Sequence, residues 1–397
     1  MQIFRDDIIE RYQAMQEMKH KGFIQQYFND SVYAGRTVSV NGKKLLNFIS
    51  CSYLGLETDP ILKEGAIKAA QEFGTQLACS RTILSNPLYM ELEDLLSQIF
   101  PGYQVVTTTT TLAHCSALPL FIGEKDAIIL DGYVHNSVRM AAQLCKANGT
   151  FIMVTRHNDM AFLDYMVQKL IKEGYRNIWY CADGIYSLQG DKLDVSGLIN
   201  LLNKYGNFYA YVDDAHGGSW TGKNGSGYVL GHYRQHEKMV VAISFCKSFS
   251  GGGGALILPN EEWAKVIRSL GQTMMFSGPI QPPTLGTLVA SAKLHLSEAI
   301  IELQAELLEL ILHFRSRCEV LGIPLFSKDE TPIQIIEIGD EAKTISIMEQ
   351  LINNGFFLTA ALPPSVAKGN EGIRITITRH VNKSDISSLL DNIKTIL

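Results

Sequence analysis

Short apolar runs alternate with helical patterns over about residues 46–285, and this alternation limits the folds open to the chain more than any other feature. Four of the runs are Asp126–Leu130, Asn177–Cys181, Phe208–Val212 and Met239–Ser244. Consecutive parallel strands need a crossover of a dozen or so residues, which is usually a helix. The alternation therefore predicts a mostly parallel α/β sheet in this part of the chain.

The N-terminal part is predicted to form a helix followed by a hairpin. Residues 5–30 are charged with apolar positions between them, as in an amphipathic helix. Between Val38 and Ile49, the dipeptide Asn41-Gly42 separates two apolar stretches. This dipeptide favours the backbone angles of a tight hairpin turn. We expect residues 1–45 to form a segment of their own.

The chain beyond the alternating region is predicted to form a linker helix and a small α+β domain. Residues 284–321 are dense in Leu, Ala, Glu and Ile, which predicts a long helical stretch. Strands are expected near Gln334–Ile338 and Ile373–Thr378. The expected division is therefore a large domain over residues 46–285 and a linker helix with a smaller domain over residues 286–397.

Composition argues against several classes of protein. The 397 residues are 46% hydrophobic and 19% charged, and the net charge is −5. Such a chain can bury a sizeable core, but it lacks the overall basic charge of a general nucleic-acid binder. The seven cysteines include no C-x-x-C pair, so we expect neither a disulfide framework nor a metal site. The same pattern predicts that the protein resides in the reducing cytoplasm. The sequence contains no run of about 18 apolar residues, so we expect no membrane span.

Polar clusters follow four of the predicted strands. They are Asp131–Ser137, Ala182–Asp191, Asp213–Gly218 and Ser244–Ser250. Ligands of open α/β sheets bind at the carboxyl ends of the strands. We therefore expect the four clusters to lie along one edge of the sheet and to form one composite site.

The stretch Tyr211-Val-Asp-Asp-Ala-His216 places two acids and a histidine at the end of an apolar strand. A lone aspartate in this position is most often a helix N-cap. A second use is possible, because the pyridine nitrogen of pyridoxal 5'-phosphate (PLP) needs a carboxylate partner. Their ion pair keeps the nitrogen protonated and makes the ring an electron sink. Asp213 is the candidate for this role.

The next cluster supplies a lysine. Lys247 follows the apolar strand Val240–Ile243 and precedes Gly251–Gly254. A Schiff-base lysine needs an apolar pocket that keeps its amine neutral and nucleophilic, and glycines let the backbone approach a cofactor closely. Ser244 is a candidate phosphate ligand. A lysine in a surface turn is the simpler interpretation of this cluster alone, but with Asp213 the two clusters predict a PLP site.

These clusters resemble the fold-type I PLP enzymes, and more narrowly the α-oxoamine synthase family, from Asn47 to Leu389. The resemblance implies a large domain with a mostly parallel sheet of the seven-stranded type and a smaller C-terminal α+β domain. The order and spacing of many short motifs make it specific. They are Ser52-Tyr-Leu-Gly-Leu56, Ser80-Arg81, Glu91-Leu-Glu93, Asp131-Gly-Tyr-Val-His135-Asn-Ser137, His157-Asn-Asp159, Asp183-Gly-Ile-Tyr-Ser-Leu-Gln-Gly-Asp191, Val212-Asp-Asp-Ala-His216, Phe276-Ser277 and Ile373-Arg-Ile-Thr-Ile-Thr378.

The resemblance implies roles for further residues of the cofactor site. His135 would stack on the ring, and His216 would contact the ring hydroxyl or assist proton transfer. Ser187 would be a nearby polar contact. Ser277 would reach a phosphate in the partner subunit, which implies a homodimer with shared active sites. The simpler interpretation of His135 is a helix-cap or core histidine.

Two residues are candidates for binding the substrate. Arg374 would clamp the carboxylate of the amino acid, a task suited to bidentate pairing by a guanidinium group. Its simpler interpretation is an ion pair on a strand face. Tyr53 belongs to a matching motif and is the second candidate.

The chain departs from the family pattern at the phosphate cup and near the substrate pockets. Family members usually have a Ser-Gly-aromatic turn where this chain has Thr110, Thr111 and Leu112. Because β-branched residues resist unusual backbone angles, Thr111 in place of glycine predicts a cup of different geometry. The segment before Arg81 also differs, and Tyr89 or Met90 stands where a histidine is common.

The family joins an amino acid to an acyl thioester, usually with loss of the carboxylate, and Lys247 would act as the base at Cα. The motifs look most like the branch that uses serine and a fatty acyl-CoA, while alanine-using and glycine-using branches remain close. The acyl carrier is either CoA or a carrier protein, and no nucleic acid is expected as a partner. A PLP aminotransferase or lyase on the same scaffold, or a non-catalytic homologue, are the alternatives.

Overall fold

The structure, a computed structural model, describes residues 3–397. Its α-helices are α1 (Asp6–His20), α2 (Pro60–Phe73), α3 (Leu88–Ile99), α4 (Thr110–Phe121), α5 (Asn136–Ala147), α6 (Met160–Lys172), α7 (Val195–Lys204), α8 (Tyr228–His232), α9 (Glu261–Leu270), α10 (Gln272–Met275), α11 (Pro282–His295), α12 (Ala299–Leu321), α13 (Glu341–Asn353) and α14 (Lys383–Ile396). Its strands are β1 (Thr37–Val40), β2 (Lys43–Asn47), β3 (Tyr103–Thr107), β4 (Ala127–Leu130), β5 (Phe151–Val154), β6 (Ile178–Asp183), β7 (Phe208–Asp213), β8 (Met239–Ser244), β9 (Gly254–Leu258), β10 (Ile333–Glu337), β11 (Phe356–Phe357), β12 (Thr359–Ala361) and β13 (Gly372–Thr376).

Seven of these strands form one mixed sheet in the order β3-β9-β8-β7-β6-β4-β5. Five strands, β5, β4, β6, β7 and β8 in sheet order, run parallel to one another. Strand β9 runs antiparallel to both β8 and β3. Every residue of β4, β6, β8 and β9 is buried, as expected for strands covered on both faces. The prediction of a mostly parallel α/β sheet is confirmed.

The four polar clusters follow β4, β6, β7 and β8, which are direct neighbours in the sheet. Because these strands are parallel, their carboxyl ends lie on the same edge, as predicted. The helices that leave this edge begin with side-chain caps: Thr109 accepts from the Leu112 amide, and Asp194 accepts from the Gly197 amide. The edge therefore combines strand ends with helix N-termini.

Contacts divide the chain into two compact units. One comprises the chain up to Cys51, Leu188–Gly190 and Leu307–Leu397, and the other comprises Ser52–Ser187 with Asp191–Glu306. The seven-stranded sheet belongs to the second unit. The division predicted from the sequence, at residues 45 and 285, stays a prediction at the level of domains.

The first unit contains two small sheets, ordered β1-β2-β11 and β10-β13-β12. The predicted hairpin is present, because β1 and β2 are antiparallel and joined by Asn41-Gly42, with φ of 51° and 76°. Both angles are left-handed, as the tight turn requires. Strand β11 pairs in parallel with β2, with Leu46 opposite Phe356. The two strands predicted near the C-terminus correspond to β10 and β13.

Two helix predictions were wrong in extent. The helix expected over residues 5–30 ends at His20 and buries none of its residues, since its apolar side chains do not form one continuous stripe. The stretch over residues 284–321 forms two helices, α11 and α12, separated by residues 296–298. The apolar periodicity continues on both sides of this break, so the pattern alone does not locate it. No helix within residues 3–397 is long and apolar enough to cross a membrane.

Candidate active site

Lys247 lies in the turn that follows β8 and is half-buried. Hydrogen bonds fix the turn: the Ser250 amide donates to the Lys247 carbonyl at 2.9 Å, and the Phe245 amide donates to Gly253 at 3.0 Å. The charge of Lys247 interacts with both Asp183 and Asp213. The lysine therefore lies within electrostatic reach of the acids at the ends of β6 and β7.

Asp213 is the last residue of β7 and is almost fully buried. Its Oδ2 lies 3.2 Å from His114 Nε2, and its Oδ1 accepts from the Ala215 amide at 3.2 Å. Burial acts to raise the pKa of Asp213, but His114 and then Lys247 outweigh it and hold the pKa at about 2. Asp213 is therefore a carboxylate with a fixed orientation at the edge of the sheet.

His135 is the N-cap of α5, so the simpler interpretation of this residue is present in the fold. Its Nδ1 lies 2.7 Å from Ser137 Oγ and accepts from the Ser137 amide, while its own amide donates to Asp183 Oδ1 at 3.0 Å. Although His135 is exposed, the protein around its ring lowers the pKa of the imidazole, against the opposing charge of Asp213. The cap thus fixes a neutral imidazole near Asp213, and stacking on a cofactor ring stays a prediction.

His216 and Tyr53 are hydrogen-bonded to each other. The Tyr53 hydroxyl lies 2.6 Å from His216 Nδ1, and Tyr53 is fully buried. The Trp220 indole donates to the His216 carbonyl at 2.7 Å. Ser187 lies half-buried in the turn after β6. The contact between Tyr53 and His216 was not predicted, and it fixes the orientation of the imidazole.

The N-terminus of α4 forms a cup from ordinary helical backbone. Thr110 and Thr111 are the first residues of the helix, and neither has a positive φ. The expected difference of this cup from the family pattern stays a prediction. The amides of these two threonines have no acceptor inside the helix, which suits an anion. A Cβ added to Gly254 would lie 2.8 Å from Thr110 Cγ2. Glycine at position 254 therefore allows α4 to approach the sheet closely.

Two serines predicted near the phosphate differ in setting. Ser244 ends β8, and its hydroxyl accepts from the Cys246 amide at 3.3 Å. The Ser277 hydroxyl donates to the Thr273 carbonyl just beyond α10. The roles of Ser244 and Ser277 as phosphate ligands stay predictions.

A partly buried ion-pair network lies beside the loop that contains His135. His157 Nδ1 is 2.8 Å from Asp131 Oδ1, and its Nε2 is 2.7 Å from Asp191 Oδ2. Burial acts to lower the pKa of His157, but the two carboxylates raise it to about 9. The Asp131 carboxylate also accepts from the Tyr133 amide and the Tyr180 hydroxyl. The network therefore anchors the start of the loop that ends at His135.

Asp214, next to Asp213, is fully buried in a different environment. Its Oδ2 accepts from the Val229 amide at 2.9 Å, and its Oδ1 has no hydrogen-bond partner among residues 3–397. Burial, with a contribution from the negative charge of Asp213, raises the pKa of Asp214 to about 8. Near neutral pH, Asp213 is therefore ionised, whereas Asp214 is mostly protonated and neutral.

Tyr89, one of the two residues expected where the family commonly has a histidine, binds the segment that precedes α11. Its hydroxyl accepts from the Ile280 amide at 2.7 Å, and the Arg81 guanidinium lies 3.9 Å from its ring centroid. Arg81 also pairs with Glu93 at 2.7 Å. This departure therefore has a structural explanation within the second unit.

Arg374 belongs to β13 in the first unit and is 9% exposed. Its Nη2 lies 3.9 Å from Cys51 Sγ. Binding of a substrate carboxylate by Arg374 stays a prediction, as does the substrate role of Tyr53.

Sequence reasoning missed His114, which is fully buried and contacts Asp213. A histidine one turn into an otherwise apolar helix that begins with threonines was the available signal. It also gave no role to Asp183, which accepts from the His135 amide, and quoted His157 only as part of a motif.

The residues at this edge fit PLP. Lys247 supplies an amine, Asp213 supplies a carboxylate for the ring nitrogen, and the N-terminus of α4 supplies amides for the phosphate. The close approach at Gly254 shapes the cup. The chemistry of the donor set is thus that of a PLP site.

Comparisons with known proteins agree with this assignment. The model of the family "Aminotransferase class I and II" matches residues 43–393. The 8-amino-7-oxononanoate synthase of Alkaliphilus metalliredigens is 30% identical over 394 residues, 96% of this chain and 97% of that protein. The serine palmitoyltransferase of Bacteriovorax stolpii is 32% identical over 359 residues, 89% of this chain and 83% of that protein.

A solved structure has the same fold. It is a serine palmitoyltransferase variant from S. paucimobilis with PLP and myriocin bound, which superposes with a TM-score of 0.88. The two chains are 20% identical, and the match covers 98% of this chain and 96% of that chain. With the site and the relatives in view, this chain belongs to the aminotransferase class I and II family and, within it, to the α-oxoamine synthases, PLP-dependent enzymes that condense an amino acid with an acyl thioester.

Proposed function

We propose that this protein condenses serine with a fatty acyl thioester and releases the carboxylate of the amino acid as carbon dioxide. The observation that supports the proposal most directly is the position of Lys247 and Asp213 at the ends of two adjacent strands, β8 and β7. Serine is favoured over alanine and glycine because the motifs around Tyr53, Asp214 and Lys247 most resemble the serine-using branch of the family.

Lys247 is proposed to bind the cofactor and to move the proton at Cα of the amino acid. Bound PLP supplies an electron sink that stabilises negative charge at Cα. Lys247 reacts as a neutral amine, which is the nucleophilic form of its side chain. The Asp213 carboxylate holds the proton on the ring nitrogen, since its own pKa lies far below neutral.

The two histidines are proposed to orient groups around the reacting atoms. The N-cap hydrogen bonds fix the ring of His135, which then covers one face of the site and excludes water. Tyr53 orients the His216 ring through its contact at Nδ1, and the imidazole is proposed to contact a hydroxyl or to move a proton. Arg374, from β13, is proposed to bind the carboxylate of the amino acid.

We infer that the protein is a homodimer with shared active sites. Four large apolar residues near Ser277 are exposed: Ile83 by 80%, Leu84 by 56%, Met90 by 69% and Phe276 by 82%. Ser80 Oγ donates to the Met275 carbonyl, so the segments before α3 and after α10 lie together. Such an apolar group suits the same surface of a second copy. A fully active monomer in analytical ultracentrifugation would contradict this inference.

The seven cysteines are free thiols, which supports a reducing compartment. We therefore propose the cytoplasm as the location of the enzyme.

The experiment is a reaction assay on purified protein loaded with PLP. Serine, alanine and glycine are each combined with acyl-CoAs of graded chain length, and the release of free CoA and of labelled carbon dioxide from the amino-acid carboxyl is measured. Acyl carrier protein thioesters are tested in parallel. We expect both releases only when serine and a long-chain thioester are present together.

Two variants and one alternative outcome make the assay decisive. Lys247→Ala removes activity and the visible absorbance of the lysine–cofactor linkage, whereas Lys265→Ala removes only a surface ion pair with Glu261 and leaves both unchanged. Transfer of the amino group to a keto acid without any thioester would establish an aminotransferase instead. Release with alanine or glycine but not serine would overturn the choice of amino acid.

A further inference from the structure

A continuous hydrogen-bonded chain leads from Tyr211 through His114 to Asp213. His114 Nδ1 lies 2.8 Å from the Tyr211 hydroxyl, and its Nε2 lies 3.2 Å from Asp213 Oδ2. Tyr211 and His114 are fully buried, and Asp213 is 5% exposed. Tyr211 and Asp213 belong to β7, while His114 projects from α4, so the chain links a helix to the sheet.

Counting donors and acceptors assigns the proton on His114. In the neutral form with hydrogen on Nε2, the ring donates to Asp213 and accepts the Tyr211 hydroxyl hydrogen at Nδ1, which satisfies all three groups. In the doubly protonated form, Nδ1 would donate to the Tyr211 oxygen. The Tyr211 hydroxyl hydrogen would then have no acceptor among residues 3–397, at a buried position where such a loss is costly.

Asp213 has its two oxygens held by different parts of the fold. The Ala215 amide donates to Oδ1 from the loop after β7, and His114 reaches Oδ2 from α4. Helix α4 is also the helix whose N-terminus forms the cup of Thr110 and Thr111. One helix therefore connects the proposed phosphate cup with the proposed partner of the ring nitrogen.

We propose that His114 is a positioning residue that, held in its Nε2-protonated neutral form by Tyr211, keeps Asp213 ionised and oriented for the ring nitrogen of the cofactor. The inference rests on the proposed role of Asp213. The hydrogen bond from Nε2 stabilises the carboxylate, because a hydrogen bond to the ionised form of an acid favours that form. A lost hydrogen bond to a charged group corresponds to about a 10- to 150-fold change in the binding of the cofactor.

The first test uses the protein without its cofactor, so it does not depend on catalysis. Nitrogen-15 NMR of protein labelled at its histidines distinguishes protonated from unprotonated ring nitrogens, and His114→Gln identifies the His114 signals. We expect Nδ1 unprotonated and Nε2 protonated at neutral pH, with loss of this fixed form in Tyr211→Phe. A protonated Nδ1 at neutral pH would overturn the assignment.

The second test reads the ring nitrogen directly, in protein loaded with PLP labelled with nitrogen-15 at the pyridine position. We expect a protonated nitrogen in the unmodified protein and loss of that proton in Asp213→Asn and in His114→Leu, with partial retention in His114→Gln, whose amide can still donate. Cys115→Ala, at the next position of α4, is the control and leaves the signal unchanged.

The outcomes separate the two proposals. If Asp213→Asn does not change the signal, the role proposed for Asp213 fails. If Asp213→Asn changes it but His114→Leu does not, only the role of His114 fails. Thermal unfolding of all variants checks that each is folded, and the NMR measurement on the unmodified protein still decides the tautomer if His114→Leu does not fold.

Discussion

Asp183 and Asp213 are paired in register across β6 and β7, yet their pKa values move in opposite directions. Burial and the negative charge of Asp213 raise the pKa of Asp183 well above its ordinary value. At Asp213, His114 and Lys247 outweigh burial and hold the pKa at about 2. The two acids therefore differ in their tendency to ionise, and this separates their expected roles.

Replacing Asp213 or Asp183 by asparagine should weaken PLP binding to unequal extents. Asp213→Asn removes the charge expected at the ring nitrogen, so PLP binding should weaken by about 10- to 150-fold. Asp183→Asn retains an oxygen that can accept from the His135 amide, so its effect on PLP binding should be smaller. Dissociation constants from absorbance titration of the apoprotein measure both. Equal losses would show that the two acids are not divided in this way.

Gly254→Ala should weaken PLP binding because the new Cβ would lie 2.8 Å from both Thr110 Cγ2 and the Ile243 carbonyl oxygen. Overpacking of this kind costs about 1–3 kcal/mol, or roughly a 5- to 150-fold increase in the dissociation constant. Gly206→Ala is the control, because a Cβ there meets nothing within 4 Å. Unchanged binding by Gly254→Ala would show that α4 does not form the cup.

His157 should stabilise the fold in a pH-dependent way. Its pKa is about 9 when folded, against an ordinary value of 6.5, so the stabilisation is complete below about pH 6.5 and is lost as the pH rises through 9. The difference in unfolding free energy between the unmodified protein and His157→Asn should fall by about 2–3 kcal/mol across this window. Denaturant titrations at several pH values measure it. A difference that stays constant between pH 6 and pH 10 would contradict this prediction.

Asp214→Asn should become relatively more stable as the pH rises. The pKa of Asp214 is about 8 when folded and 3.8 ordinarily, so its contribution is complete below pH 3.8 and is lost as the pH rises through 8. Asparagine remains neutral throughout. The unfolding free energy of the variant relative to the unmodified protein should therefore rise by roughly 2–5 kcal/mol over this window and level off above pH 8. A flat difference would mean that Asp214 is ionised in the fold.

Arg374→Ala should mainly weaken the binding of the amino acid. Loss of a contact to a charged carboxylate costs about 1.5–3 kcal/mol, while the affinity for PLP should change little. Arg317→Ala, which removes a surface ion pair with Asp391, is the control in the same unit. Spectral titration with serine gives the dissociation constants. Unchanged amino-acid affinity in Arg374→Ala would remove the proposed clamp.

Local patterns were sufficient to predict the sheet and the edge that contains the site. The run Met239–Ser244 coincides with β8, and Asn41-Gly42 forms the turn between β1 and β2, because strand period and turn angles are properties of adjacent residues. The positions of Lys247 and Asp213 at strand ends followed from the same reasoning.

Contacts between elements that are far apart in the sequence could not be predicted from local sequence patterns. His114 and Asp213 are 99 residues apart in sequence, and only the packing of α4 on the sheet brings them together. Thr111 was expected to give a cup that differs from the family pattern, and its backbone angle, which is set by the helix, is not readable from the residue type alone. The break between α11 and α12 was missed because both helices continue the same apolar composition.

Because β2 pairs with β11, the N-terminal sheet cannot be completed until late in the synthesis of the chain. Lys43, in β2, and Asn353, just before β11, are hydrogen-bonded across 310 residues of sequence. A ribosome needs roughly 15–60 seconds to make that length of chain. The N-terminal hairpin therefore leaves the ribosome long before β11 is made. All residues of the seven-stranded sheet are also made before β11. A newly made chain interrupted before residue 356 would have a complete central sheet and an unpaired β2 edge, open to strands of other chains.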